Sequence, residues 1–195
     1  MNRSTGVRKD LQTFDDHHVM GQVKAGQIDK LGLLFEKYNK QLYHLFLWQT
    51  KDPPLSEDLV QEVFLRILKY RHSYRGEGQF KTWMFSIAHS ARIDHFRRKK
   101  HPTLSIDEGA MIPDESPGPD RMTEQQDHSR MLWQALLRLS RNKREMLVMS
   151  RFESMKYEEI AKVVGCRVGT VKSTIHSALK ELAVHYKQLT SEELR

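Results

Sequence analysis

Four of the chain's six prolines lie between His101 and Asp127, at positions 102, 113, 117 and 119. Residues 101–128 also hold Gly109, Gly118 and seven acids against a single arginine. Proline has no backbone N–H and a fixed φ, so this stretch can form neither a helix nor a central strand. Its few apolar residues and single sign of charge favour an extended, mobile linker. The chain must therefore fold on either side of it. At 195 residues and roughly 100–200 residues per domain, each side can build only a small unit. The expected division is a tail over 1–21, a domain over 22–100, the linker over 101–128, a domain over 129–184 and a tail over 185–195.

Both flanks read as helix, and no alternating apolar run bounded by glycine-rich turns marks a strand. The spacing predicts a helix over about Gly26–Trp48, with Leu31, Leu34, Phe35, Tyr38, Leu42, Leu45 and Phe46 on its apolar side. A second follows Asp52-Pro53-Pro54, with Ser56 as N-cap and Glu57 and Asp58 in the first turn. Its apolar stripe is Leu59, Val60, Val63, Phe64, Ile67 and Leu68. A third runs from near Phe80 to about Lys100, burying Phe80, Trp83, Met84, Ile87, Ala88 and Ala91. Between the second and third lies Tyr74-Arg75-Gly76-Glu77-Gly78-Gln79, a loop whose glycines permit unusual backbone conformations. Beyond the linker, Met131, Leu132, Ala135, Leu136 and Leu139 mark one helix, and Met146, Leu147 and Phe152 another. Two more cover Tyr157–Val164 and about Val168–Leu182. The fold class is all-α: two small helical domains joined by a flexible linker.

Composition removes several function classes. No apolar run approaches the roughly 18 residues of a membrane span. Met1–Met20 has no apolar stretch of the secretory kind. A single cysteine, Cys166, forms no internal disulfide or multi-cysteine metal site, and the expected setting is the reducing cytoplasm. The chain lacks a glycine-rich phosphate loop, a His-Glu-x-x-His pair and a nucleophile elbow, which argues against an enzyme. Neither a cofactor nor a metal is expected.

Charge points to a polyanion instead. The net charge is +7, but it is unevenly spread. Residues 1–100 carry a net +7, 101–128 a net −6 and 129–195 a net +6. Two basic blocks flanking an acidic spacer suit partners that bind through counterion release.

Tyr157 to His176 fits a helix-turn-helix. Ala161 is small where two helices cross, Gly165 supplies the turn, and Ile160, Val164, Val171 and Ile175 fill the interface. That geometry projects the second helix into a major groove. Its inward side is Val171, Ile175, Ala178, Leu179 and Leu182. Thr170, Lys172, Ser173, His176 and Lys180 are left outward, and are suited to base edges and phosphates. In the first half, the basic run Arg97-Arg98-Lys99-Lys100 exceeds what a helix end needs, so phosphate contact is expected there. Trp83 could stack on an exposed base, but its spacing with Phe80 and Ile87 places it in the core.

Leu139-Ser140, Arg144-Glu145, Tyr157-Glu-Glu-Ile-Ala and Val168-Gly-Thr-Val-Lys-Ser173 together resemble region 4 of bacterial sigma-70-family sigma factors of the extracytoplasmic-function group. Independently, Asp58-Leu-Val-Gln-Glu-Val-Phe64 resembles region 2.2. Phe80-Lys-Thr-Trp-Met-Phe-Ser-Ile-Ala88, with Asp94 and the Arg97-Arg98 ending, resembles regions 2.3 and 2.4. The resemblance implies a non-catalytic subunit that binds core RNA polymerase, recognises promoter −35 and −10 elements and helps melt the DNA. It implies that Asp58, Gln61, Glu62 and Leu65 face the clamp helices of the polymerase β′ subunit, with the β flap as a second contact. It assigns the −10 element to Tyr74, Gly76, Gly78, Gln79, Phe80, Ser90, Arg97, Arg98, Lys99 and Lys100. The −35 element falls to Thr170, Lys172, Ser173, His176 and Lys180. An anti-sigma factor is a further candidate partner.

Three positions depart from the family pattern. Lys156 stands where a capping serine is common, Ser90 where many relatives have Asn, and His176 with Ser177 alter the reader helix. A second reading, a stand-alone dimeric helix-turn-helix regulator, explains the second half but leaves the 58–64 motif without a role.

Overall fold

The structure, a computed structural model, describes residues 15–99 and 124–193. Among these residues the regular structure is helical throughout, as the spacing predicts. Eight α-helices are present: α1 (Asp16–Lys24), α2 (Leu31–Thr50), α3 (Pro53–Lys69), α4 (Phe80–Lys99), α5 (Glu124–Arg138), α6 (Arg141–Arg151), α7 (Tyr157–Val164) and α8 (Val168–Glu193). Two 3-10 turns, Ile28–Lys30 and Arg71–Ser73, connect elements of the first half. The chain forms two compact units. α1, α2 as far as Phe46, α3 from Pro54, and α4 belong to the first, and α5 to α8 to the second. Most of the linker stretch, and Lys100 with it, lies outside the described residues.

In the first unit the buried side chains come from all four helices. Val19, Met20 and Val23 of α1 are buried, as are Leu34, Tyr38 and Leu42 of α2. α3 contributes Leu59, Val60, Val63, Phe64 and Ile67, and α4 contributes Met84, Phe85, Ala88 and Ala91. Phe35 departs from its expected place: it is an exposed residue whose ring meets Phe64 edge-on, 4.9 Å between centroids. Two boundaries also differ from expectation. α1 begins inside the predicted tail, at Asp16, N-capped by Asp15, whose Oδ1 accepts from the His17 N–H at 3.0 Å. Gly26, at φ +105°, lies just past the end of α1, so it closes that helix instead of opening the next.

α3 starts at Pro53, three residues before the expected cap. Proline suits the first helical turn because its φ is preset and its missing N–H would have no partner there. Ser56 is consequently inside the helix and fully buried, not an N-cap. Glu57 and Asp58 move into the second turn.

In the second unit α5 packs along the C-terminal half of α8. Met131, Ala135 and Leu189 are buried together, with Leu182 and Tyr186 against them. α8 therefore continues well past Leu182, through the stretch expected to be a tail. It contains no proline to stop it, and its apolar positions 182, 186 and 189 keep the helical interval. Leu132 and Phe152, expected in the core, are exposed.

The corner between α5 and α6 is held by a buried arginine. Arg144, 5% exposed, donates from Nε to Leu136 O at 2.9 Å and from Nη2 to Leu137 O at 2.6 Å and Leu139 O at 2.9 Å. These carbonyls lie at and just past the end of α5, where a helix leaves its last carbonyls without intrahelical donors; Leu136 O also accepts from the Leu139 N–H at 3.1 Å. Burial, and after it the charge of Arg141, push the guanidinium down to about 10, so it stays protonated at neutral pH. A planar fork with five donors fits a cluster of carbonyls as no other side chain does.

Arg144→Ala should destabilise the second unit by about 2–4 kcal/mol, since several charge-assisted hydrogen bonds go at once and buried carbonyls stay unpaired. Urea denaturation of the full chain in a Trp83→Phe background, followed by the fluorescence of Trp48 and Trp133, would show this as an earlier transition. An unchanged midpoint would remove Arg144 from the account of the corner.

Candidate nucleic-acid and protein interfaces

The helix-turn-helix is formed by α7 and α8. Ile160, Ala161, Val163, Val171 and Ile175 are buried, and Val164 is half-buried. Gly165 adopts φ 69°, ψ 38°, the left-handed region that favours glycine. The Cys166 N–H donates to Ala161 O at 3.0 Å and closes the turn. Lys156 cannot accept a hydrogen bond as a capping serine would. The other half of that cap is still made: the Lys156 N–H donates to Glu159 Oε2 at 2.7 Å.

With Val171, Ile175 and Ala178 turned inward, Thr170, Lys172, Ser173, His176 and Lys180 are all exposed on α8. The Ser173 hydroxyl donates to Thr170 O at 3.1 Å, so toward a partner it offers lone pairs only. Arg167, exposed in the turn before α8, is a further cation on this face that helical spacing alone did not single out. Behind the face, Glu181 is paired with Lys143 of α6. The Lys143 hydrogen bond holds the Glu181 carboxyl below its ordinary range, with the charges of Lys143 and His185 adding to it.

In the first unit, Asp58, Gln61 and Leu65 lie on the outer face of α3. Leu65 is 62% exposed, an apolar side chain among polar ones. Glu62 is half-buried and differs from its neighbours in being tied down. Arg66 Nε donates to Glu62 Oε1 at 2.6 Å, and Arg66 Nη1 donates to Asp94 Oδ2 at 2.9 Å. Arg97 Nη2 in turn donates to Asp94 Oδ1 at 3.2 Å. This chain of charges links α3 to α4 and steers Arg97, which is otherwise exposed. Asp94 is held below the usual carboxylate range, first by the Arg66 hydrogen bond and then by the charges of Arg66, Arg97 and Arg98.

The 74–80 loop contains two left-handed glycines, Gly76 at φ +74° and Gly78 at φ +76°. A Cβ at either would meet nothing within 4 Å, so both serve backbone conformation and not packing. Gln79 is exposed. Tyr74 and Phe80 are 5% and 1% exposed, Phe80 as its helical spacing predicts. They form a floor under the loop. The Tyr74 ring lies 5.9 Å from Phe80 and 5.0 Å from Trp83, and Phe80 packs 5.7 Å from Tyr38. Trp83 is thereby part of the aromatic cluster, in agreement with its spacing. Burial, and after it the Asp15 and Asp16 carboxylates, push the Tyr74 phenol up to about 12.

Gln79 and Ser90 do not share one pocket. The Gln79 carbonyl accepts the first hydrogen bonds of α4 from Thr82 and Trp83, so the helical register begins there. Eleven residues at about 1.5 Å each separate the two by roughly 16 Å along the axis. Eleven residues are also close to three turns, and eighteen to five, at about 3.6 residues per turn. Gln79, Ser90 and Arg97 thus form a line along one face of α4. Ser90 spends its hydroxyl proton on Ser86 O at 3.0 Å and presents an acceptor. Arg98 is exposed beside Arg97. Lys99 ends the helix, while Lys100 lies outside the described residues.

Among the described residues, no three His, Cys, Asp or Glu side chains gather where a metal ion could bind. None of the helices is long and apolar enough to cross a membrane.

Asp94→Asn should loosen the α3–α4 link and release Arg97. The folded carboxyl titrates below its unfolded value of about 3.9. Its contribution is therefore fully present above that pH and is lost as pH falls through the lower folded value. Thermal unfolding should separate wild type from variant at pH 7 by at most about 1 kcal/mol, and the gap should close in strongly acid solution. A gap independent of pH would mean the ion pair is not its source.

Sequence models of two family regions match the chain. Sigma-70 region 2 matches residues 34–101, and Sigma-70 region 4 matches residues 129–182. The extracytoplasmic-function RNA polymerase sigma factor SigX of Bacillus subtilis is 30% identical over 165 residues, covering 82% of this chain and 85% of that one. SigM of the same organism is 29% identical over 162 residues, covering 82% and 97%. Among solved structures, CnrH in complex with the cytosolic domain of CnrY aligns with a TM-score of 0.65 at 20% identity, over 87% of this chain and 95% of that one. The sigma factor RpoE of Bartonella quintana, in complex with the anti-sigma factor NepR, aligns at 0.64 and 22%, over 78% and 94%. At those identities the two structures speak to the fold alone. With both regions present in order and a curated relative matched over most of its length, this chain belongs to the sigma-70 family, as an extracytoplasmic-function sigma factor that directs transcription initiation.

Proposed function

We propose that the chain divides promoter recognition between its two units and takes their spacing from core RNA polymerase. α8 reads the −35 element with Thr170, Lys172, Ser173, His176 and Lys180. The 74–80 loop and the α4 line from Gln79 through Ser90 to Arg97 and Arg98 take the −10 element, the arginines holding its phosphates. The outer face of α3, with Asp58, Gln61 and Leu65, docks on the β′ clamp helices, and the second unit meets the β flap. Glu62 belongs to this face but acts chiefly through Arg66. The protein has no catalytic step of its own and works in the cytoplasm. RpoE was solved in complex with the anti-sigma factor NepR, and an anti-sigma factor covering these faces is the corresponding partner here.

The observation that carries this reading is the outward face of α8. Between Thr170 and Lys180 the residues that the packing of Val171, Ile175 and Ala178 leaves exposed are hydrogen-bonding or cationic, which suits a groove and not a protein core. The decisive experiment is transcription in vitro with purified core polymerase on a promoter library. An asymmetric pair of elements should emerge, and the free protein should bind promoter duplex weakly. Tight footprints by the free protein on a palindrome with half-sites one turn apart would favour the stand-alone dimeric regulator.

Two substitutions test the assignments separately. Asp58→Ala with Gln61→Ala should weaken core binding while stability stays within about 0.5 kcal/mol, because neither side chain is buried. Normal core affinity in that double variant would end the clamp assignment. Lys172→Ala should weaken −35 binding. With a phosphate as its partner, the loss is uniform across sequences and the salt slope falls by about one; with a guanine, about 1–3 kcal/mol of specificity goes at one position. If neither quantity moved, another face of α8 would have to meet the DNA.

A further inference from the structure

α1 lies ahead of the residues that match region 2, which begin at 34. It is nonetheless bonded to the −10 loop at two points of a single residue. Lys24 Nζ donates to the Tyr74 carbonyl at 2.8 Å. The Tyr74 hydroxyl shares a hydrogen bond with His17 Nδ1 at 2.5 Å, and the two rings stack with centroids 5.9 Å apart. His17 and Lys24 are seven residues apart, close to two turns, so one face of α1 grips both ends of the tyrosine. α1 is itself anchored to α2, since Asp16 accepts from Lys37 Nζ at 2.6 Å and from the Tyr38 hydroxyl. Its first turn also lines a cavity of about 250 Å³ together with Gln79, Phe80 and Lys81.

Tyr74 is the residue at which the chain leaves the Arg71–Ser73 turn and enters the loop. The loop's far end is fixed by Phe80, buried at the start of α4. Between them Gly76 and Gly78 impose little stiffness of their own. The path of the loop, and with it the setting of Gln79, therefore depends on how firmly Tyr74 is held. We infer that α1 is a positioning element for −10 recognition, with His17 and Lys24 as the positioning residues that hold the 74–80 loop in its reading conformation. This inference rests on the assignment of that loop to the −10 element.

The test uses the full chain with core polymerase on two promoter libraries, one randomised at −10 and one at −35. The variants are His17→Ala, His17→Asn, Lys24→Met, Tyr74→Phe and the pair His17→Ala with Tyr74→Phe. A chimera with residues 75–79 exchanged for another sigma factor's loop serves as the reference. The alanine, methionine and phenylalanine variants should each flatten the preference among −10 bases by roughly five-fold, the equivalent of one ordinary hydrogen bond. The double variant should be no worse than its worse single, because both changes break one bond. His17→Asn should restore much of the preference, as its amide can donate or accept near the Nδ1 position. The −35 preference should stay as in wild type.

An unchanged −10 preference in the single variants, beside an altered one in the chimera, would make α1 a purely structural helix and overturn the inference. Equal losses at both elements would do the same, since they report general destabilisation. Should the chimera itself keep the wild-type −10 preference, the loop assignment fails first, and the role of α1 fails with it.

Discussion

What the first unit can offer a partner depends on the rotational setting of α4. Phe80, Met84, Ala88 and Ala91 are buried at helical intervals and lock one side of that helix inward. A close-packed interior does not allow it to turn by a few tens of degrees without opening voids. The opposite face is then set without any contact of its own, and Gln79, Ser90 and Arg97 fall into line because the core side is fixed. α8 obeys the same rule. Val171, Ile175 and Ala178 are buried, and the polar residues between them have nowhere to point but outward. In both units the side chains proposed to meet a ligand are placed by residues buried behind them.

This explains how much could be read from the sequence. The all-α class, both helix-turn-helix elements and the outer faces of α3 and α8 follow from apolar spacing, which is a local property of the chain. What escaped was mostly non-local or fell at helix ends. α1 has only Val19, Met20 and Val23 as its buried stripe, too short a pattern to stand out, although Asp15 before it is a legible cap. The start of α3 was displaced because two prolines in a first turn begin a helix earlier than a serine would. In the Glu62–Arg66–Asp94 chain the Glu62–Arg66 half is an i,i+4 pair on one helix, but Arg66 and Asp94 are 28 apart in sequence and no local signal announces their bond. Phe80 is buried as its spacing predicts, but Tyr74, in the glycine loop, carries no periodic signal of burial. The structure turns both under the loop, where burial of two large rings contributes more than their exposure would.

Tyr74 and Glu62 also have contacts that the family resemblance does not give. Tyr74 supports the loop through its backbone carbonyl and its hydroxyl, both of which α1 engages. Glu62 orients Arg66, and Arg66 holds Asp94. Each residue stays in the neighbourhood to which the family resemblance assigns it, and is bonded there to a side chain of another residue.

The carboxylates behind the surfaces proposed to face DNA show the same economy. A free acid near a phosphate path repels the strand and weakens counterion release. Asp94 lies beside Arg97 on α4, and Glu181 follows Lys180 on α8, so each sits where such repulsion would matter. Both are held by a cation from a different helix, Asp94 by Arg66 of α3 and Glu181 by Lys143 of α6. Both carboxyls are accordingly held below their ordinary range. Their charge goes to fixing one helix against its neighbour, and the cations on the outer faces stay available for the nucleic acid. Each acid thus adds to the rigidity of a reading helix while its field is largely cancelled at short range. Neutralising either one would gain little attraction for DNA and would lose part of the geometry that aims the cations.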